Sequence, residues 1–104
     1  KVASKYDMDW KILKAICEVE SKCNSDRIGD NGGSYGAFQI SLPHHPNITK
    51  EQAKDFEWSA DWTAKHCLKY KDNKDLFFKC HNGIGKTTNQ WYIDRCNEAY
   101  KNEI

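Results

Sequence analysis

The chain has 104 residues, enough for one small folded domain over 1–104 and near the lower limit at which a core sustains itself. Sixteen Lys and Arg against fifteen Asp and Glu leave a net charge of +1, which excludes the global positive field that recruits nucleic acid. No stretch approaches the roughly 20 apolar residues of a membrane span, and the 38% hydrophobic content is low, offset by four Trp, five Tyr and four Phe that bury large areas per residue.

In chain order, Asp7 is positioned to cap a first helix running from about Met8 to Ser21. At 100° per residue, Ile12, Leu13, Ile16 and Val19 gather into one apolar stripe. Glu20 falls inside that stripe and Glu18 on the opposite side. A carboxyl on a core-facing stripe loses water, which disfavours its charge and suits it to act as a general acid. The competing reading is a partly buried Glu held by a basic or backbone partner.

Asp30-Asn31-Gly32-Gly33-Ser34-Tyr35-Gly36 cannot continue a helix, since glycines and an Asp-Asn pair favour turns with positive φ. Ala37-Phe38-Gln39-Ile40 resumes an apolar run broken by one amide. With Pro43, His44, His45 and Pro46 following, this region reads as loop with at most a short hairpin. Thr49 and Gln52 then form a capping box that opens a long helix to about Tyr70. Ala53, Phe56, Ala60 and Cys67 recur on one face of it, with Trp58 and Trp62 on another. So wide an apolar surface predicts a helix central to the domain, with both tryptophans in the core. His44 and His45 are adjacent with no third ligand in pattern, and read as a loop pair.

Asp72 or Asn73 caps a short helix through Phe77 and Phe78 to Cys80, which His81-Asn82-Gly83-Ile84-Gly85 ends. A second capping box, Thr87 with Gln90, opens a final helix to about Tyr100 carrying Tyr92, Cys96 and Tyr100 on one face.

Glu20-Ser21, Gly36-Ala37-Phe38-Gln39-Ile40 and His81-Asn82-Gly83 occur in that order over most of the chain. Together they resemble the goose-type lysozyme and soluble lytic transglycosylase family. The resemblance implies a mainly α, lysozyme-like single domain with a central long helix and a small loop or hairpin lobe. It also implies cleavage of the MurNAc-β-1,4-GlcNAc bond of peptidoglycan by a monomeric enzyme that needs no cofactor and no metal.

In that scheme Glu20 matches the family's catalytic acid. Asp30 matches an acidic residue of the goose-type pattern and would position water, its alternative being a plain turn former. Gln39 and Asn82 match residues beside the sugar cleft. His81 stands where the family has Tyr, and Ser41 where the goose-type pattern has a further Asp, so hydrolysis and transglycosylation remain alternatives. Within the bend, Tyr35 offers a ring that either stacks on a sugar or closes over the core. Ser34 is expected at the substrate, as a hydrogen-bonding group rather than a nucleophile.

Five cysteines, Cys17, Cys23, Cys67, Cys80 and Cys96, fit an exported protein with up to two disulfides and one free thiol, or five reduced cysteines acting as small hydrophobes. None of them shows a zinc-ligand spacing. The start at Lys1 is read as a processed or trimmed chain, and the resemblance implies action at a cell wall, in the extracellular space or periplasm, or on a phage. The rival readings are a non-catalytic glycan- or wall-binding domain, an enzyme of chitin-type polymers, and an exported disulfide-bonded interaction module.

Overall fold

The computed structural model describes residues 2–83 and 89–102. They form six α-helices around a small sheet: α1 Val2–Lys5, α2 Trp10–Ser21, α3 Lys50–Lys54, α4 Phe56–His66, α5 Lys74–Asn82 and α6 Asn89–Lys101. No helix among them is long and apolar enough to cross a membrane.

Helix α2 is the central element, packing against α1, α4, α5 and α6. Its expected stripe holds, with Ile12, Leu13 and Ile16 buried beside Ala15 and Cys17. The start differs from expectation. Asp7 adopts a left-handed φ of 54° in the turn after α1, and Asp9 is the cap, its carboxylate accepting from Lys11 N–H at 3.0 Å. A cap must be extended so that its side chain folds back over the first turn, and Asp7 is not. At the other end Lys22 and Cys23 are both left-handed, reversing the chain abruptly, and the Cys17–Cys23 disulfide staples that reversal. Ser21, buried, donates to Ala37 O at 2.7 Å and accepts from Asn24 N–H, tying the end of α2 to the lobe that follows.

That lobe is more ordered than a loop. Three two-residue strands, β1 Ile28–Gly29, β2 Ser34–Tyr35 and β3 Ile40–Ser41, pair antiparallel in the order β1-β2-β3. Ser34 sits opposite both Gly29 and Ser41, and Tyr35 opposite Ile28 and Ile40. Strands this short carry too few residues for a period-2 pattern to be read from the sequence. Gly36, at φ 87°, lies against α3 so closely that a Cβ would meet Ala53 O at 1.9 Å. Only glycine fits that backbone contact.

The long helix expected from Thr49 to Tyr70 is two helices. The Thr49–Gln52 capping box is present in both directions at 3.0 Å. At Asp55, however, the backbone turns extended (φ −79°, ψ 117°) and the side chain accepts from Trp58 N–H at 2.9 Å, starting α4 afresh. An Asp carboxylate competes with the helix ladder for nearby N–H groups, and here it wins. Phe56 is consequently exposed, and α4 buries a narrow face of small residues, Ser59, Ala60, Thr63 and Ala64. The centre of the fold therefore belongs to α2 and not to this helix.

Asn73, rather than Asp72, caps α5, which runs two residues past its expected end. The helix stops only at Gly83, whose φ of 107° is open to glycine, so His81 and Asn82 are helical. On α6, Tyr92 and Cys96 are buried, and Tyr100 donates to Asp9 across α2. The Thr87 half of the second capping box, with Ile84 and Gly85, lies outside the described residues. The five cysteines resolve into Cys17–Cys23, Cys67–Cys80 and a buried free Cys96.

Two apolar clusters result. The larger is built on Ile16, Phe38, Phe77, Phe78 and Cys96, and the smaller on Tyr35, Ile40 and Ala53, with Trp58 and Trp62 half-buried against it. Helix α1 is held to α4 through Asp61, which receives Lys5 Nζ at 2.9 Å and the Tyr6 hydroxyl at 2.8 Å. These two donors hold the Asp61 carboxyl below its ordinary value of 3.8, against a smaller opposing effect of burial. A folded-state value below the unfolded one means that the fold binds fewer protons. The stabilisation is therefore present above 3.8 and lost as pH falls through the lower folded value. Asp61→Asn should lower the melting temperature at pH 7, with the gap to wild type closing below about pH 4 in melts recorded across an acid series.

Candidate functional site

Between the sheet lobe and the helices lies a cleft of about 660 Å³. The last turn of α2 contributes Val19 and Glu20, and the lobe contributes Asp30, Ser34, Gln39, Ile40 and Ser41. The end of α5 supplies His81 and Asn82, α4 supplies Trp62 and His66, and α6 supplies Trp91, Tyr92 and Arg95. A second cavity of about 430 Å³ opens between α1, α2 and α4. Its walls are hydrocarbon apart from Lys14 and Glu57, and none of the sequence-derived site residues reaches it.

Six of the seven residues picked from the sequence meet in the larger cleft: Glu20, Asp30, Ser34, Gln39, His81 and Asn82. Tyr35 does not line it. Its ring is buried in the smaller cluster with Ile40 and Ala53, under Lys50 Nζ at 5.5 Å, because the register of β2 turns Tyr35 inward. Of the two readings of that ring, closure over the core is the one observed.

Glu20 sits at the rim of the core with its side chain 21% exposed. The Tyr92 hydroxyl donates to Glu20 Oε2 at 2.7 Å, and His81 Nε2 lies 3.6 Å from the same oxygen. His81 is itself only 5% exposed, and its Nε2 is 2.9 Å from Phe38 O. A carbonyl can only accept, so Nε2 carries the proton in that contact. The carboxyl of Glu20 is thus aimed by a phenol from α6 and flanked by an imidazole from α5.

Burial, then the charge of Glu20, then neighbouring Cys96 push the Tyr92 phenol well above its ordinary range, so it remains a donor at any physiological pH. Burial likewise pushes the Cys96 thiol up to about 12, against a smaller lowering effect of the adjacent Tyr92 hydroxyl, which leaves an inert sulfur behind the site.

Asp30 faces solvent at the cleft mouth, at a left-handed φ of 50°. The buried Ser34 donates to Asp30 Oδ2 at 2.6 Å, so the serine positions this carboxylate. Gln39 donates through Nε2 to Arg27 O at 3.0 Å and Gly36 O at 2.9 Å. Its N–H groups thereby brace the lobe, and its amide lies where a Cβ on Gly29 would strike Oε1 at 2.3 Å. Ser41 pairs with His44 Nδ1 at 2.8 Å, and Asn82 donates to Asn89 at 2.8 Å, joining α5 to α6.

The aromatic walls were not anticipated. Trp62, expected in the core, stacks on His66 with rings 4.5 Å apart and 12° from parallel, and His45 meets both edge-on at 4.9 and 5.3 Å. Trp91, which also lines the cleft, is 60% exposed with the Arg95 guanidinium 5.1 Å over its ring. All four histidines of the chain line this one cleft. The Trp62–His66 spacing of four was visible in the sequence as one helix face. What it faced was not.

No protein-family model matches the chain, and no curated protein and no solved structure matches it.

Burial first, and then the positive charge of neighbouring histidines, hold both His45 and His66 below the ordinary 6.5. Both are therefore neutral at pH 7, and the unfolded chain binds more protons than the fold as pH falls through that value. Stability contributed by the neutral rings is present above 6.5 and declines as pH drops towards their folded values. NMR titration should give midpoints below 6.5 for both rings, and His66→Gln should shrink the stability lost between about pH 7 and 5.

Proposed function

We propose that the chain is a peptidoglycan-cleaving glycosidase of lysozyme-like fold that cuts the MurNAc-β-1,4-GlcNAc bond with Glu20 as general acid. One observation carries this reading: the residues singled out by the Glu-Ser, Gly-x-x-Gln-Ile and His-Asn-Gly motifs, far apart in sequence, converge on one cleft around the Glu20 carboxyl. Glycoside cleavage needs an acid at the leaving oxygen and stabilisation of an oxocarbenium-like transition state. A carboxyl at the edge of a core, aimed by Tyr92, supplies the first. Tryptophan faces such as Trp62 and Trp91 suit the apolar faces of a sugar chain.

Asp30 lines the same cleft, and Ser34 holds its carboxylate in place, which favours a role in positioning water over a mere turn. The missing acid at Ser41 favours the other course, in which Glu20 acts first as acid and then as base while a substrate hydroxyl closes a 1,6-anhydro ring. Peptidoglycan strands are the proposed partner, and the cell wall, reached from outside the cytoplasm or from a phage, the proposed place of action. Chitin-type polymers are a second substrate class, since the same acid serves any β-1,4 GlcNAc chain.

Mass spectrometry of soluble products from purified peptidoglycan tests the proposal. Wild-type protein should release muropeptides, and Glu20→Gln should lower their yield by a factor of roughly 10²–10⁴. Reducing-end products assign hydrolysis and a role to Asp30; products lighter by one water assign transglycosylation. Undiminished release by Glu20→Gln would refute the mechanism, and no release by wild type would favour a glycan-binding domain. Tyr92→Phe removes only the aiming hydroxyl. It should fold, lose about 1 kcal/mol of stability, and turn over about tenfold more slowly at unchanged KM.

A further inference from the structure

The cleft carries one charge that the acid machinery does not use. Arg95 is the only Lys or Arg among the described residues that line it, whereas two acidic side chains, Glu20 and Asp30, face it. An arginine stays protonated at any physiological pH. His45 and His66 are held below 6.5, so at neutral pH neither adds to that charge. The Arg95 guanidinium lies over the ring of Trp91, one turn back on α6, and among the described residues the side chain makes no ion pair and no hydrogen bond. Arg95 also stands three residues after Tyr92, whose hydroxyl aims the Glu20 carboxyl. Residues three apart on a helix have Cβ atoms about 5–6 Å from each other. The cation therefore springs from the same turn that aims the acid.

We propose that Arg95, held over Trp91, is a specificity-determining residue that selects carboxylate-bearing glycan strands over neutral ones, receiving a carboxylate from a substituent on a sugar bound beside Glu20. The inference rests on the glycosidase reading and decides between its two substrate classes. A β-1,4 GlcNAc polymer is uncharged and has no anion for the guanidinium to meet. In a strand containing MurNAc, each muramic sugar carries an O-lactyl group. That group is either a free carboxylate or is amidated by a peptide with carboxylates of its own. Facing Glu20 and Asp30 alone, such a strand would be repelled, and Arg95 offsets that repulsion. A guanidinium suits the task, because its planar fork can donate to both oxygens of one carboxylate. Stacking on the indole limits the rotamer freedom that a long side chain loses on binding, without occupying an N–H. Trp91 and Arg95 are both exposed, so the pair meets a group projecting from the strand rather than a ring seated deep in the cleft.

Calorimetric titration of the full chain carrying Glu20→Gln, which keeps the ligand uncut, tests the proposal on three soluble ligands of equal sugar number. They are strands with their stem peptides, strands stripped of peptide so that the lactyl carboxylates are free, and chito-oligosaccharides. Adding Arg95→Gln should weaken binding of carboxylate-bearing strands about tenfold and leave the chito-oligosaccharide within about twofold. Arg95→Lys should recover part of the loss, and the loss should shrink in about 1 M salt. A loss confined to the peptide-bearing strand assigns the contact to a stem-peptide carboxylate. One confined to the stripped strand assigns it to the lactyl group itself, and a loss on both means that either carboxylate is received. Equal weakening of charged and neutral ligands, no weakening, or a loss unchanged by salt overturns the proposal. Binding of none of the three overturns it together with the glycosidase reading. Arg95-dependent selectivity in a chain whose wild type releases no muropeptides would sustain this inference and sink the catalytic one.

Discussion

The packing of α2 against α6, closed at its cleft end by the hydrogen bond from Tyr92 to Glu20, is the contact on which the remaining architecture depends. It joins positions 72 residues apart, and it occurs where a buried apolar stripe gives way to solvent. A carboxyl needs both surroundings to be useful: enough protein to fix its direction and enough opening to meet a substrate. The same helix end is anchored three further ways, by the left-handed reversal at Lys22, by the Cys17–Cys23 bond, and by Ser21 reaching Ala37. Glu20 is thus carried by one of the best-braced points in the fold, while the facing wall is a lobe of three two-residue strands.

That lobe has almost no regular structure of its own, yet its shape is closely determined. Gly36 permits contact with α3 at a distance no side chain allows, Gln39 spends its amide on two backbone carbonyls, and Ser34 anchors Asp30. Each is a polar or steric constraint rather than an apolar one, which is how a short segment holds a conformation without a large core. The pattern Gly-x-x-Gln-Ile therefore has a structural account that is independent of any substrate: the glycine for approach, the amide for bracing and the isoleucine for the smaller cluster.

Local signals in the sequence were legible where chemistry and periodicity coincide. The stripe of Ile12, Leu13 and Ile16, the Thr49–Gln52 box and the buried face of Tyr92 and Cys96 all follow from rules that act within one or two turns. What escaped was decided by competition or by distance. Asp55 lies between good helix formers, and only the capture of Trp58 N–H by its carboxylate breaks the helix. Asp7 and Asp9 are equally good caps by residue type, and the turn after α1 chooses between them. The convergence of Glu20, Asp30, Gln39, His81 and Asn82 could be expected from the order of the motifs. The aromatic walls and the partner of Glu20 could not, because nothing local links Trp62 to His45 or Tyr92 to Glu20.

The most direct test of this account is a structure of Glu20→Gln protein with an uncleaved β-1,4-linked tetrasaccharide of GlcNAc and MurNAc. The account predicts the sugar chain in the 660 Å³ cleft, with one glycosidic oxygen about 2.6–3.2 Å from the carboxamide at position 20. A chain bound in the apolar cavity beside Trp10 and Phe56, or in the cleft with its linkages out of reach of position 20, would contradict it.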